Sequence, residues 1–217
     1  MQSNKSLTTV YILSILLFVF FSLYAYFFNV KDYINDSIIA IFLISLVYFL
    51  KKHINLYNYS FILLILGIIS HLSGVFGFYS SSPLPIQYDH FTHFLGLFAV
   101  SIMFFNFLKR FFSENKANNF LIIIIILLAS LGVGSLIEET EFLGFLKFGT
   151  GEGLLKFGGL GDTSLNEGIL RDIDIIGGGW INTMWDLTYN SLGALFGIIF
   201  MYLVYLYKKD DQKSKTL

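Results

Sequence analysis

The chain has 217 residues, of which 55% are hydrophobic and 13% charged, and a mean hydropathy of +0.70, values that exclude an ordinary soluble domain. A formal net charge of −1 leaves no electrostatic footprint for nucleic acid, and the lack of cysteine excludes disulfides, thiol catalysis, palmitoylation and thiolate metal sites. With 25 Phe, 13 Tyr and 2 Pro, the composition is that of an all-α, polytopic membrane helix bundle, small enough to form a single integral domain over residues 1–217.

Crossing ~30 Å of hydrocarbon takes roughly 20 apolar residues in a helix. Residues 6–30 satisfy this, and the run is too long for a secretory signal and lacks a small-residue cleavage site, which predicts a retained first helix. Residues 37–50 form a short second segment, which spans the bilayer if Asp36 sits at the interface and Lys51 and Lys52 snorkel, and is otherwise re-entrant. Further spans are expected at 54–78, 91–108, 118–137 and 187–207, with a polar tail at 208–217.

Six spans make the charges alternate. Lys5 precedes the first, Lys51 and Lys52 follow the second, Lys109, Arg110 and Lys116 follow the fourth, and Lys208, Lys209, Lys213 and Lys215 follow the sixth. The positive-inside rule then predicts a multi-pass protein of the cell membrane with both termini in the cytoplasm.

In this orientation the polar residues gather near the outer face. "YDHFTHF" (88–94) opens the fourth helix, just after the Pro-marked turn "SSPLPI" (81–86). Asp89 and His93 are four apart and His90 and His93 three apart, so all three can share one helix face. The fifth helix ends in "IEETEF" (137–142), where Glu138 and Glu141 are three apart with Glu139 between them; Glu139 and Glu141 also read as solvated loop charges. In "NTMWDLTYNSLGALFG" (182–197), Asn182, Asp186 and Asn190 form a four-residue stripe continued by Gly193 and Gly197, and His71 lies about two turns below the outer end of the third helix.

Singly, each such residue reads as interhelical hydrogen-bonded glue. Their convergence at one depth points to a functional site, because ionisable groups inside a bilayer are costly. Asp89, His93, Glu138, Glu139, Asp186 and Asn190 are therefore the candidate catalytic residues, and His90, His93, Glu138 and Asp186 the candidate ligands of a divalent metal such as zinc.

Residues 142–181 hold more than half of the chain's 19 glycines, together with the near-repeat "GFLKFG" (144–149) and "GLLKFG" (153–158). Their aromatic content predicts a structured outer cap over the polar cluster rather than a free linker. "GTGEGL" (150–155) fits no phosphate-binding fingerprint.

"YDHFTHFLG", the paired glutamates, "GEGLLKFGGLGD" and "TMWDLTYNSLGA" resemble the YjdF-like group of membrane proteins over about residues 70–200. The spaced Asp/His, Glu and Asp-x-x-x-Asn-x-x-Gly-Ala elements are also similar to the broader VanZ-like family, which is associated with glycopeptide tolerance and envelope processes. The resemblance implies Asp89, His93, Glu138 or Glu139, Asp186 and Asn190 as a shared polar set, with His90 standing where many relatives carry Arg or Lys; it implies no reaction. Three readings follow. A membrane enzyme would process an envelope lipid or lipid-linked substrate, either with a metal and a Glu base or with His93 as acid–base oriented by Asp186. A proton- or cation-coupled transporter would use the same groups as a relay. A scaffold would use them as structural or headgroup-binding contacts, and the oligomeric state stays open in all three.

Overall fold

A computed structural model describes residues 4–149, 154–155 and 171–214. Its six helices are α1 (Asn4–Phe27), α2 (Asp32–Phe49), α3 (Asn58–Leu72, continued by a tight turn at Ser73–Phe76), α4 (Tyr88–Leu108), α5 (Lys116–Phe148) and α6 (Arg171–Ser214), with no strand among the described residues. All six carry a segment long and apolar enough to cross a membrane.

The helix ends follow from local chemistry. Asn29 and Asn55 adopt left-handed backbone angles, φ 61° and 50°, and Asn tolerates these better than most side chains. Each lets the next amide reach back five residues, Val30 to the Ala25 carbonyl at 3.0 Å and Leu56 to the Lys51 carbonyl at 2.9 Å, which closes the helix ends. The Asn115 side chain accepts from the Ala117 and Asn118 amides at 2.9 and 3.4 Å and so starts α5. Gly149, with φ 81° and ψ −167°, ends it in a region that side chains with a Cβ rarely enter.

Several boundaries differ from the sequence expectation. The second segment is a full helix from Asp32, and Asp36 is buried against neighbouring helices near its start. The third helix begins at Asn58, since residues 50–56 are taken up by the closing turn of α2. The fifth does not stop at residue 137. "EETEFLGFLKF" continues it to Phe148, because Glu, Leu and Lys favour helix and the charges at 138 and 141 lie on its protein-facing side. The sixth begins at Arg171, and the expected cap over 142–181 contracts to the connection 149–170. Of that connection, 150–153 and 156–170 lie outside the described residues.

Among the described residues three apolar clusters hold the helices, the smallest being Leu97, Val100 and Ala194 between α4 and α6. Phe18, Tyr33, Ile44, Phe61 and Leu72 join α1, α2 and α3, while Ile102, Phe105, Ile126, Ile198 and Met201 join α4, α5 and α6. The α4–α6 pair packs most extensively. Gly193 and Gly197 make this possible: a Cβ on Gly193 would overlap the Phe94 carbonyl, and one on Gly197 would overlap the Ser101 hydroxyl and meet the Phe98 carbonyl at 2.7 Å. Gly134 of α5 likewise leaves room for Asn190, whose amide a Cβ there would approach to 3.0 Å. These approaches bring α4, α5 and α6 together where their polar residues lie.

Candidate functional site: an acid–histidine centre

The stripe on α6 faces α4 and α5. Asp186 and Asn190 are fully buried, at 0% exposure, and Asn182 is also buried. Asn182 Nδ2 donates to Asp186 Oδ2 at 2.7 Å and to Asp89 Oδ2 at 3.3 Å, tying α6 to the first turn of α4. His93, one turn further along α4, places Nδ1 3.2 Å from Asn190 Oδ1. An amide oxygen only accepts, so Nδ1–H is the donor in this contact. Nε2 then faces Asp89 Oδ1 at 3.4 Å and Asp186 Oδ1 at 3.6 Å.

Those two distances matter. A charge-assisted hydrogen bond between imidazolium and carboxylate closes to about 2.7–2.9 Å. Donor atoms sharing one divalent ion instead stand roughly 3–4 Å apart, because each is ~2.0–2.4 Å from the ion. One donor atom each from Asp89, His93 and Asp186 lie within 4.8 Å of one another, a separation that small side-chain shifts would close onto an ion. Asn190 holds Nδ1–H so that Nε2 points inward, as the outer hydrogen-bond partner of a metal-binding histidine would.

From α5 come two glutamates. Glu138 Oε1 accepts from Asn190 Nδ2 at 3.5 Å and lies 3.5 Å from His93 Nδ1, while its Oε2 is buried with no hydrogen-bond partner among the described residues. Glu141 is 8% exposed and makes no hydrogen bond or ion pair among the described residues. Oxygens of Glu138, Glu141 and Asp186 again lie within 4.8 Å of one another. Like charges this close and this dry cannot all persist without protons or cations.

Five of the expected site residues, Asp89, His93, Glu138, Asp186 and Asn190, thus meet in one place. Two do not. Glu139 is exposed, since one residue past Glu138 turns about 100° away from the buried face of α5. The His90 ring stacks on Tyr189, with centroids 4.3 Å apart and planes at 9°, and lies near Trp185. It belongs to neither group of side chains whose donor atoms lie within 4.8 Å of one another. His90→Phe should accordingly leave bound divalent metal unchanged, whereas His93→Phe should lower it at least tenfold; elemental analysis of the two purified variants checks this. The residue that sequence reasoning undervalued is Glu141, although its i+3 spacing from Glu138 was the signal for it.

A second polar group lies alongside, between α2, α3 and the turn before α4. The Asp36 carboxylate accepts from His71 Nε2 and from the Leu154 backbone amide, both at 3.1 Å, and His71 Nδ1 lies 2.7 Å from the Tyr79 hydroxyl. Burial, and after it the nearby Asp89 charge, push the Tyr79 phenol well above its ordinary range, so its O–H is the donor to His71. Removing one partner of a buried charge typically costs about 3–5 kcal/mol. His71→Ala should therefore lower membrane abundance several-fold, and adding Asp36→Asn should recover much of the loss; immunoblots of membrane fractions check both.

At the opposite end of the bundle, Asn106 shows what interhelical glue looks like. Its oxygen accepts from Tyr59 at 2.7 Å and Lys109 at 2.8 Å, and its amide donates to Ser60 at 2.7 Å. Every contact there is short and direct. The glutamates of the acid–histidine centre have no such set: Glu138 has only contacts of 3.5 Å, to Asn190 and His93, and Glu141 has no hydrogen bond among the described residues.

The fold and this centre define a multi-pass α-helical membrane protein with a buried carboxylate–histidine cluster toward one end of its helices. The chain belongs to the predicted membrane protein family DUF2238, whose model matches residues 7–207. The YjdF-like naming is consistent with that family. No curated protein and no solved structure matches the chain.

Proposed function

We propose that the protein is a divalent-metal-dependent enzyme of the cell envelope that acts on the phosphate of a membrane lipid or lipid-linked substrate. The observation that carries this reading is that His93 Nε2 lies 3.4 Å from Asp89 Oδ1 and 3.6 Å from Asp186 Oδ1, with one donor atom of each side chain within 4.8 Å of the others, close enough to share an ion. A divalent ion held there supplies Lewis-acid activation of a phosphoryl oxygen. Asp89, whose side chain is 20% exposed, is the member of the trio nearest the surface and marks the side from which a headgroup would approach. Exposed apolar side chains of α5 and α6, including Leu136, Leu143, Met184 and Leu192, would meet the tail of a lipid on these helices. The resemblance to VanZ-like proteins supports the envelope setting.

A coupled carrier fits less well. Below the centre the interior is closed by Leu97, Val100, Ile102, Ile126 and Ala194, with no ionisable side chain in that plug to pass a proton or cation inward. The test uses farnesyl diphosphate as a short lipid-phosphate probe and purified protein in detergent. Binding with Mn(II) present, lost in EDTA and not displaced by equimolar inorganic pyrophosphate, is expected; equal binding in EDTA removes the metal from the reading.

The same reading places both termini in the cytoplasm and the centre at the outer face, from the Lys/Arg alternation between helices. Epitope tags at Met1 and Leu217 should both resist protease added to intact cells. Cleavage of one tag alone would mean that an odd number of helices crosses.

A further inference from the structure

We propose that the centre is binuclear: Asp89, His93 and Asp186 hold one divalent cation, Glu138, Glu141 and Asp186 hold a second, and Asp186 bridges the two. This rests on the cation reading above and deepens it. The observation behind it is independent of His93. Glu141 is a carboxylate more than nine-tenths buried, without a hydrogen bond or ion pair among the described residues, and its oxygen lies within 4.8 Å of oxygens of Glu138 and Asp186. Glu138 Oε2, also buried and without a partner among the described residues, is available on the same side. A single ion on the Asp89–His93–Asp186 side would leave Glu141 and the Oε2 atom of Glu138 without a partner among the described residues.

Charge leads to the same count. Four carboxylates line the centre, Asp89, Glu138, Glu141 and Asp186, and with all four ionised two divalent ions match them charge for charge, where one leaves two of the charges to be met by protons. Asp186 is the side chain common to both triads, it has two oxygens, and it is at 0% exposure in the middle of the cluster. A carboxylate bridging through its two oxygens suits ions about 3.5–4 Å apart, the spacing at which a pair of metals clamps the entering and leaving oxygens of a phosphoryl transfer. The donor sets also differ. The first site offers imidazole nitrogen and carboxylate oxygen and suits zinc, iron or manganese; the second offers oxygen alone and suits magnesium, manganese or calcium. Manganese satisfies both, which makes it the probe of choice.

Full-length protein, stripped of metal and titrated with Mn(II), should bind two ions per chain and show the broadened, spin-coupled electron paramagnetic resonance signal of neighbouring Mn(II) ions. Glu141→Gln should halve the stoichiometry and convert the signal to that of an isolated ion, and Glu138→Gln provides the same reading if the first variant does not fold. One ion per wild-type chain, with an uncoupled signal, would overturn the binuclear proposal and leave the metal-dependent function standing. No bound Mn(II) would overturn both. Two coupled ions retained in both glutamine variants would overturn the assignment of Glu138 and Glu141.

Discussion

Asp186→Asn is expected to abolish metal-dependent stabilisation while leaving the protein in the membrane at near-normal abundance. Asp186 is shared by both candidate ligand groups, so its loss should weaken every cation in the centre at once. Asn keeps the volume, and its amide oxygen can still accept the 2.7 Å hydrogen bond from Asn182 Nδ2. It also removes one of four mutually repelling carboxylates, which favours rather than harms the metal-free fold. In the wild type, metal at a hundredfold excess over its dissociation constant should add about 2.7 kcal/mol of stability. For a chain of this size that corresponds to a melting temperature higher by roughly 5–10 °C. In Asp186→Asn the increment should vanish, as read by thermal melting in detergent with and without Mn(II). The pattern separates function from glue, because a structural role would lower abundance and leave no metal effect in the wild type to lose.

The second large effect concerns how the centre is assembled. Gly193→Val should cost more than about 3 kcal/mol and reduce membrane abundance severely, since the new side chain meets the Phe94 backbone, which cannot rotate out of the way. The α4–α6 crossing would have to open, carrying Asp186 and Asn190 away from His93. Gly132 of α5 is the internal control. A Cβ there meets nothing within 4 Å, so Gly132→Ala should be neutral or gain up to about 1 kcal/mol from helix propensity. Equal abundance of Gly193→Val and Gly132→Ala would mean that close packing of α4 on α6 does not hold the bundle.

Much of this was legible in the sequence, for physical reasons. Hydropathy over 20-residue windows reports the cost of putting polar groups in hydrocarbon, so the six helices could be counted. The four-residue stripe of Asn182, Asp186 and Asn190 and the Asp89–His93 spacing report helix geometry directly, and these residues do meet. What hydropathy cannot see is a helix that carries charge on its buried side. For that reason the fifth span was expected to stop at residue 137 and its helix within 137–142, and Glu141 also read as a loop charge. The buried pairing of Asp36 was illegible because its partners His71 and Leu154 are 35 and 118 residues away. His90 shows the opposite case. Spacing allowed it onto the face of Asp89 and His93, but the flat rings of Tyr189 and Trp185 on α6 offered a better contact than a crowded acidic site. Spacing decides which residues can share a face; the neighbouring helix decides which of them do.

The central claim is that α4, α5 and α6 enclose a cation-binding centre with Asp186 at its middle. Metal analysis of detergent-purified wild-type protein beside Asp186→Asn, after dialysis against metal-free buffer, tests it most directly. The account predicts at least one equivalent of divalent metal per wild-type chain, removable by EDTA, and only traces in Asp186→Asn. A wild-type protein without metal, or one whose metal content Asp186→Asn leaves unchanged, would contradict it.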